Sequence, residues 1–128
     1  MIFDRPEQAE SLFSTLFTIL LEDEQFASRM RAANLNLHLK HTAPDVELFV
    51  EPDGVHLGPP PGRAAISIKM SCDTAHALWS GTLLMPLALA RGKVRIRGSV
   101  ARVLEFVPML QPAFDRYPQL AVEAGVSG

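Results

Sequence analysis

Two periodicities divide this chain. Leu12, Phe13, Leu16, Phe17, Ile19 and Leu20 recur three and four residues apart, the spacing of one helical face. Asp4 followed by Glu7 matches a capping box, and Pro6 suits a first turn, where its missing N–H costs nothing. The pattern predicts a helix over residues 5–21. The acidic run Glu22-Asp23-Glu24 interrupts it, and Phe26, Met30 and Ala33 continue a second helical face.

The period then drops to two. Residues 34–40 alternate without a break, with Leu35, Leu37 and Leu39 on one face. After a turn at residues 42–45, Val46, Leu48 and Val50 alternate with Glu47, Phe49 and Glu51. Pro52-Asp53-Gly54 signals a turn, so Val55-His56-Leu57 should close a hairpin. Beyond the stiff loop at residues 58–62, Ala64, Ile66, Ile68 and Met70 alternate as a fourth strand. Ser71 is placed to cap a short helix through Ala75, Leu78 and Trp79. A second short helix fits residues 86–90, closed by Gly92, and residues 93–97 form a fifth strand ending at Gly98. Ser99 can cap a last helix carrying Val100, Val103, Leu104 and Val107, which Pro108 and Pro112 bend or end. The pattern weakens after about Pro118, and that tail should be loosely attached.

These elements imply an α/β (α+β) domain. A five-stranded, mostly antiparallel sheet is covered on one side by helices and wet on the other, because its strands alternate so strictly. The 128 residues suit one domain with its core at about 30–110.

From Ile66 onward the residues resemble the sterol carrier protein 2 family. The matching run is Ile66-Ser67-Ile68-Lys69-Met70-Ser71, Leu78, Ser80-Gly81, Pro86, then Gly92-Lys93-Val94, Ile96 and Gly98. The resemblance covers roughly residues 30 to 110. It implies a five-stranded sheet and helices enclosing an apolar tunnel for sterols, fatty acids, fatty acyl-CoA or phospholipids. The family often has an acidic or polar residue after the last glycine, where this chain has Ser99 followed by an apolar helix, and the peroxisomal tail of eukaryotic members is missing. Both departures resemble the stand-alone bacterial type. The expected role is binding and transfer of a hydrophobic ligand without catalysis. The alternative is a tunnel-containing enzyme or an accessory protein in isoprenoid, ubiquinone, steroid or polyketide metabolism.

Composition sharpens this in one respect. Hydrophobic residues make up 48% of the chain and charged residues 20%, a surplus that a core, an interface or an apolar site could absorb. A net charge of -2 disfavours nucleic acid as a partner. A single cysteine, Cys72, forms no internal disulfide, and neither a signal peptide nor a membrane-spanning run is recognisable. A cytoplasmic monomer or homodimer is expected.

A carrier needs apolar walls and a closable mouth. Each buried methylene contributes about 0.8 kcal/mol, so a chain of about sixteen carbons gains on the order of 12 kcal/mol before ordering costs. The candidate walls are Leu37, Leu39, Leu48, Ile66 and Ile68 from the sheet. The helices offer Phe17, Leu20, Leu78, Trp79, Met85, Leu87, Leu89, Val103, Leu104 and Val107. Met70, Met85 and Met109 add adaptable surface. For any one of these residues, ordinary core packing is the competing reading.

The remaining chemistry is sparse. Asp73, His76 and Ser71 or Ser80 suggest a triad, but three residues on one turn rarely converge as a triad must, and His76 is expected at the surface. His38 and His41 have opposite strand parity and no third ligand, so no metal and no cofactor are expected. Lys93, Arg95 and Arg97 form a basic stripe. It is either a solvated outer face or a site for transient contact with an anionic membrane or an acyl-CoA phosphate.

Overall fold

In the computed structural model, which describes residues 2–126, helix α1 runs Pro6–Glu22. It starts one residue later than a box on Asp4 implies. The backward hydrogen bonds come from Gln8 instead of Glu7: its Oε1 accepts from the backbone N–H groups of Asp4 and Arg5 at 2.9 and 3.3 Å. Helix α2, Glu24–Ala32, is capped by the Asp23 carboxylate, which accepts from the N–H groups of Gln25 and Phe26.

The strands are β1 (Leu37–Thr42), β2 (Val46–Glu51), β3 (Gly54–Leu57), β4 (Ile66–Ser71) and β5 (Val94–Arg97). They lie in the order β3-β2-β1-β4-β5. The β1–β4 pair at the centre is parallel, and the other three pairs are antiparallel. Register aligns Leu39 with Leu48 and Ile68, and Ile68 with Ile96. One face therefore carries Leu37, Leu39, Val46, Leu48, Val50, Ile66, Ile68, Met70, Val94 and Ile96. The other carries His38, Lys40, Glu47, Ser67, Lys69, Arg95 and Arg97. The period-two alternation of the sequence becomes a sheet with a dry side and a wet side.

Helices α3 (Cys72–Trp79) and α4 (Met85–Ala90) lie between β4 and β5 in the chain. Ser71 caps α3 by accepting from the N–H of Thr74 at 3.0 Å. At the end of β5, Gly98 has φ +118, and a Cβ there would lie 2.9 Å from the Ala65 carbonyl oxygen. Only glycine lets the chain turn this close to the start of β4. Helix α5 (Val100–Phe106), capped by Ser99, passes through a 3-10 turn (Val107–Leu110) into α6 (Gln111–Glu123). Pro108 shapes that turn without ending the helical run. Pro118 sits inside α6, whose third turn follows without a break.

The tail after Pro118 is not loosely attached. α6 continues to Glu123, with Tyr117 and Ala121 buried, and Val126 is buried beyond it. Ala113, Tyr117 and Ala121 recur every four residues, a stripe of small and aromatic side chains that a search for large aliphatics misses. Ser127 and Gly128 lie outside the described residues.

The dry face is divided in two. Helix α1 packs over β2 and β3, and its Leu12, Phe13, Leu16 and Leu20 share one core with Val50 and Leu48, all nearly or wholly inaccessible to water. Over β1 and β4 the cover is looser. It consists of α2, α3, the 81–85 loop and the α5–α6 run. None of the 3-10 turn is buried, and α5 buries only Val103.

Candidate ligand-binding site

Beneath that looser half lies an apolar cavity of about 150 Å³. Its floor is the β1–β4 pair: Leu35, Leu37, Leu39, His41, Ile66, Ile68 and Met70. Phe17 of α1 and Phe26 and Met30 of α2 close one side. Leu78 and Trp79 of α3 and Gly81, Leu83, Leu84 and Met85 form another. Val103, Phe106, Val107, Leu110 and Phe114 form the roof. Leu84 is 68% exposed, so the cavity reaches the surface there.

Aromatic pairs fasten the roof at both ends. Phe106 of α5 meets Phe26 edge-on with centroids 5.6 Å apart, and Phe114 of α6 meets Trp79 at 5.2 Å. Trp79 in turn takes Phe17 edge-on at 5.8 Å. Such pairs contribute about 0.5–1.5 kcal/mol each beyond their buried area.

Ten of the fifteen wall residues expected from the sequence line the cavity: Phe17, Leu37, Leu39, Ile66, Ile68, Leu78, Trp79, Met85, Val103 and Val107. Five do not. Leu20 and Leu48 belong to the packed half under α1, both at 0% exposure. Leu87 and Leu104 point outward, at 44% and 37% exposure. Leu89 is partly buried against the core but lies outside the cavity wall. Leu104 lies on the outward side of α5. The inward stripe instead runs Val103, Phe106 and Val107, Leu110, Phe114, at three- and four-residue steps straight through Pro108. Reading that proline as a terminator hides Leu110 and Phe114.

His41 is the one imidazole in the wall. It is 4% exposed, its ring stacks on Phe13 with centroids 4.5 Å apart, and Nδ1 has no hydrogen-bond partner. Burial pulls its pKa from 6.5 down to about 4, partly opposed by a hydrogen bond with the Val46 backbone. The ring is neutral at physiological pH.

The residues that suggested a triad have other partners. Ser71 caps α3, and Asp73 accepts the backbone N–H of Ile2 at 3.0 Å. His76 is buried rather than exposed, because α6 packs against α3 and brings Tyr117 to its Nδ1 at 2.6 Å. Burial pushes the Tyr117 phenol well above its ordinary pKa. Ser80 Oγ lies 3.5 Å from Nε2 of His76, longer than a nucleophile–base hydrogen bond. Cys72 is buried, and its thiol is pushed up to about 12 by burial first and by Asp73 and Asp45 next, so it is no thiolate at neutral pH.

His38 and His41 lie on opposite faces of β1. His38 Nε2 pairs with Glu47 at 3.0 Å on the wet side. No group of three metal-ligating side chains converges among the described residues. Lys93, Arg95 and Arg97 are exposed, and Arg95 and Arg97 share the wet face with Lys40 and Lys69, opposite the cavity. Arg97 is already held, donating to Ser67 Oγ at 2.7 Å and to the Ala64 carbonyl at 3.3 Å.

Solved structures match the whole arrangement of sheet and cover. Sterol carrier protein 2 from Yarrowia lipolytica, in its apo form, superposes with a TM-score of 0.67 at 18% identity, covering 90% of this chain and 99% of that one. The chain has the sterol carrier protein 2 fold. The sterol carrier protein domain 2 of Helicoverpa armigera matches with a TM-score of 0.65 at 15% identity, covering 88% of this chain and 94% of the other. Sterol carrier protein 2 of Aedes aegypti, in complex with the C16 fatty acid palmitate, matches with a TM-score of 0.55 at 16% identity, over 76% and 92% of the two chains. No family model and no curated protein matches the chain. Among the described residues, no helix is long and apolar enough to cross a membrane.

Proposed function

We propose that this protein binds a lipid-like molecule in the cavity between the β1–β4 floor and the α5–α6 roof and carries it without chemical change. The observation that supports this most is the wall: apart from His41, the Trp79 indole and the Gly81 backbone, it is hydrocarbon and thioether. An apolar void of this size stays dry and takes apolar guests, as an engineered cavity of about 150 Å³ takes benzene. The Aedes aegypti fold neighbour, whose structure holds palmitate, supports the same reading.

A long chain needs more room than the closed cavity offers. The extra volume comes from the roof, which α5 and the 3-10 turn hold with few buried side chains. Displacing Phe106 and Phe114 from their aromatic partners would enlarge the cavity beneath the roof into a tunnel. The exposed amines and guanidinium of Lys40, Lys69, Lys93 and Arg95 suit transient contact with an anionic membrane on the opposite side of the sheet. They do not suit a ligand phosphate inside the cavity. The protein acts as a single domain in this reading.

Mass spectrometry of an organic extract from gently purified protein tests the proposal. A stoichiometric lipid is the expected result. Protein that carries no lipid and fails to take up a fluorescent fatty acid would overturn it.

A further inference from the structure

The elements that frame the cavity opening differ from the rest of the surface in two ways. They are apolar on the outside. Among the described residues six large hydrophobic side chains are exposed, and four of them, Leu84, Leu87, Val100 and Leu104, belong to α5, to α4 or to the residue that starts α4. The two helices precede and follow edge strand β5, and both reach the cavity, α4 through Met85 and α5 through Val103 and Phe106. The same stretch is cationic. Residues 81–110 hold Arg91, Lys93, Arg95, Arg97 and Arg102 against one acid, Glu105, a net charge of +4 in a chain of net charge -2, so the remainder carries -6. All five cations are exposed, and apart from Arg97 their side chains make no hydrogen bond or ion pair among the described residues.

Exposed leucines scattered singly need no explanation, but a group of them beside an apolar opening marks a contact surface. Charge selects its occupant. A second copy seated on the same patch would bring two sets of free cations together. An anionic bilayer instead offers phosphates to the cations and hydrocarbon to the leucines. Helix α1 does not compete for such a surface, since it carries Glu7, Glu10 and Glu22 and no cation.

We infer that the α4–β5–α5 edge docks on an anionic lipid bilayer, with Leu84, Leu87, Val100 and Leu104 inserted and Arg91, Lys93 and Arg102 at the headgroups, so that the cavity opens into lipid rather than into water. This rests on the reading of the cavity as a lipid site. It gives Leu87 and Leu104, which the cavity does not use, a reason to face outward. The wet face of the sheet offers cations without exposed leucines, so contact there is electrostatic alone.

Cosedimentation of the full chain with vesicles tests the docking. Wild type should bind mixed phosphatidylglycerol–phosphatidylcholine vesicles, bind pure phosphatidylcholine far more weakly, and be released as salt rises. Leu87→Ser with Leu104→Ser should lower vesicle affinity about tenfold at every salt concentration and leave uptake of a fluorescent fatty acid in solution unchanged. Arg91→Gln with Arg102→Gln should cost about twentyfold on the anionic vesicles, each cation near such a surface contributing about fivefold. Leu57→Ser, an exposed leucine on β3 at the far edge of the sheet, should change nothing. The docking edge is overturned if the leucine pair binds normally while Lys40→Gln with Lys69→Gln does not, or if the leucine pair only turns a dimer into a monomer in ultracentrifugation. Wild type that takes up the fatty acid and ignores both kinds of vesicle would overturn the docking and leave the lipid cavity standing. Vesicle binding that needs Leu87 and Leu104, in a protein that takes up no fatty acid, would overturn the cavity reading instead.

Discussion

Replacing Val103 with Phe separates a cavity wall from an ordinary core position. Val103 projects from α5 into the roof of a void of about 150 Å³. Phenylalanine adds four carbons with space to enter. Cavities cost about 24 cal/mol per Å³, so filling a third of this one should return about 1 kcal/mol. Losses from imperfect fit offset part of that, and the expected outcome is unchanged or slightly raised stability. Ligand affinity should fall at least tenfold, because the new ring occupies the alkyl site. Leu48→Phe is the control: Leu48 is wholly buried in the packed half under α1, outside the cavity. There the larger ring overpacks, costing about 1–3 kcal/mol. Urea unfolding of delipidated protein gives the stabilities, and displacement of a fluorescent fatty acid gives the affinities. The reasoning is refuted if Val103→Phe loses as much stability as Leu48→Phe while ligand affinity is unaltered.

Three further expectations follow from particular groups. His41 titrates near 4 when folded and 6.5 when unfolded, so the unfolded chain binds the extra proton between those values; stability is complete above pH 6.5 and declines by about 3 kcal/mol as pH falls to 4. Denaturant titrations across that range should show the decline in wild type and a shallower one in His41→Phe; equal slopes would contradict the buried neutral ring. Gly98→Ala should cost about 1–3 kcal/mol, since φ is +118 and the added Cβ meets the Ala65 carbonyl; a thermal midpoint equal to wild type would show that the turn is not as tight as described. Amide exchange over residues 106–114 should be faster than in β1 and β4, because this segment buries little; exchange as slow as in the sheet would argue against a movable roof.

Much of this architecture can be read along the chain. The alternation at Leu35, Leu37 and Leu39 and at Ile66, Ile68 and Met70 marks which face of the sheet is dry, since a one-residue slip would send every leucine to water. Ser71 and Ser99 announce two helix starts through their side-chain oxygens. What stayed hidden depends on long-range packing. Leu48 and Leu39 are cross-strand neighbours with the same alternation, yet one lies beneath α1 and the other beneath the cavity. Nothing local distinguishes them. Tyr117 and His76 are 41 residues apart, and their pairing requires α6 to dock on α3. Strand parity places His41 inward, but only the assembled cover shows its ring stacked on Phe13 of α1.

Trp79 is the only tryptophan in the sequence, and it lines the cavity. Its fluorescence therefore reports directly on what enters. Fatty acids brominated at successive carbons should quench Trp79 emission at saturation, most strongly for bromine at one depth along the chain and weakly at the ends. Emission that stays constant with every brominated chain, at concentrations well above micromolar, would contradict a lipid seated between the sheet and its roof.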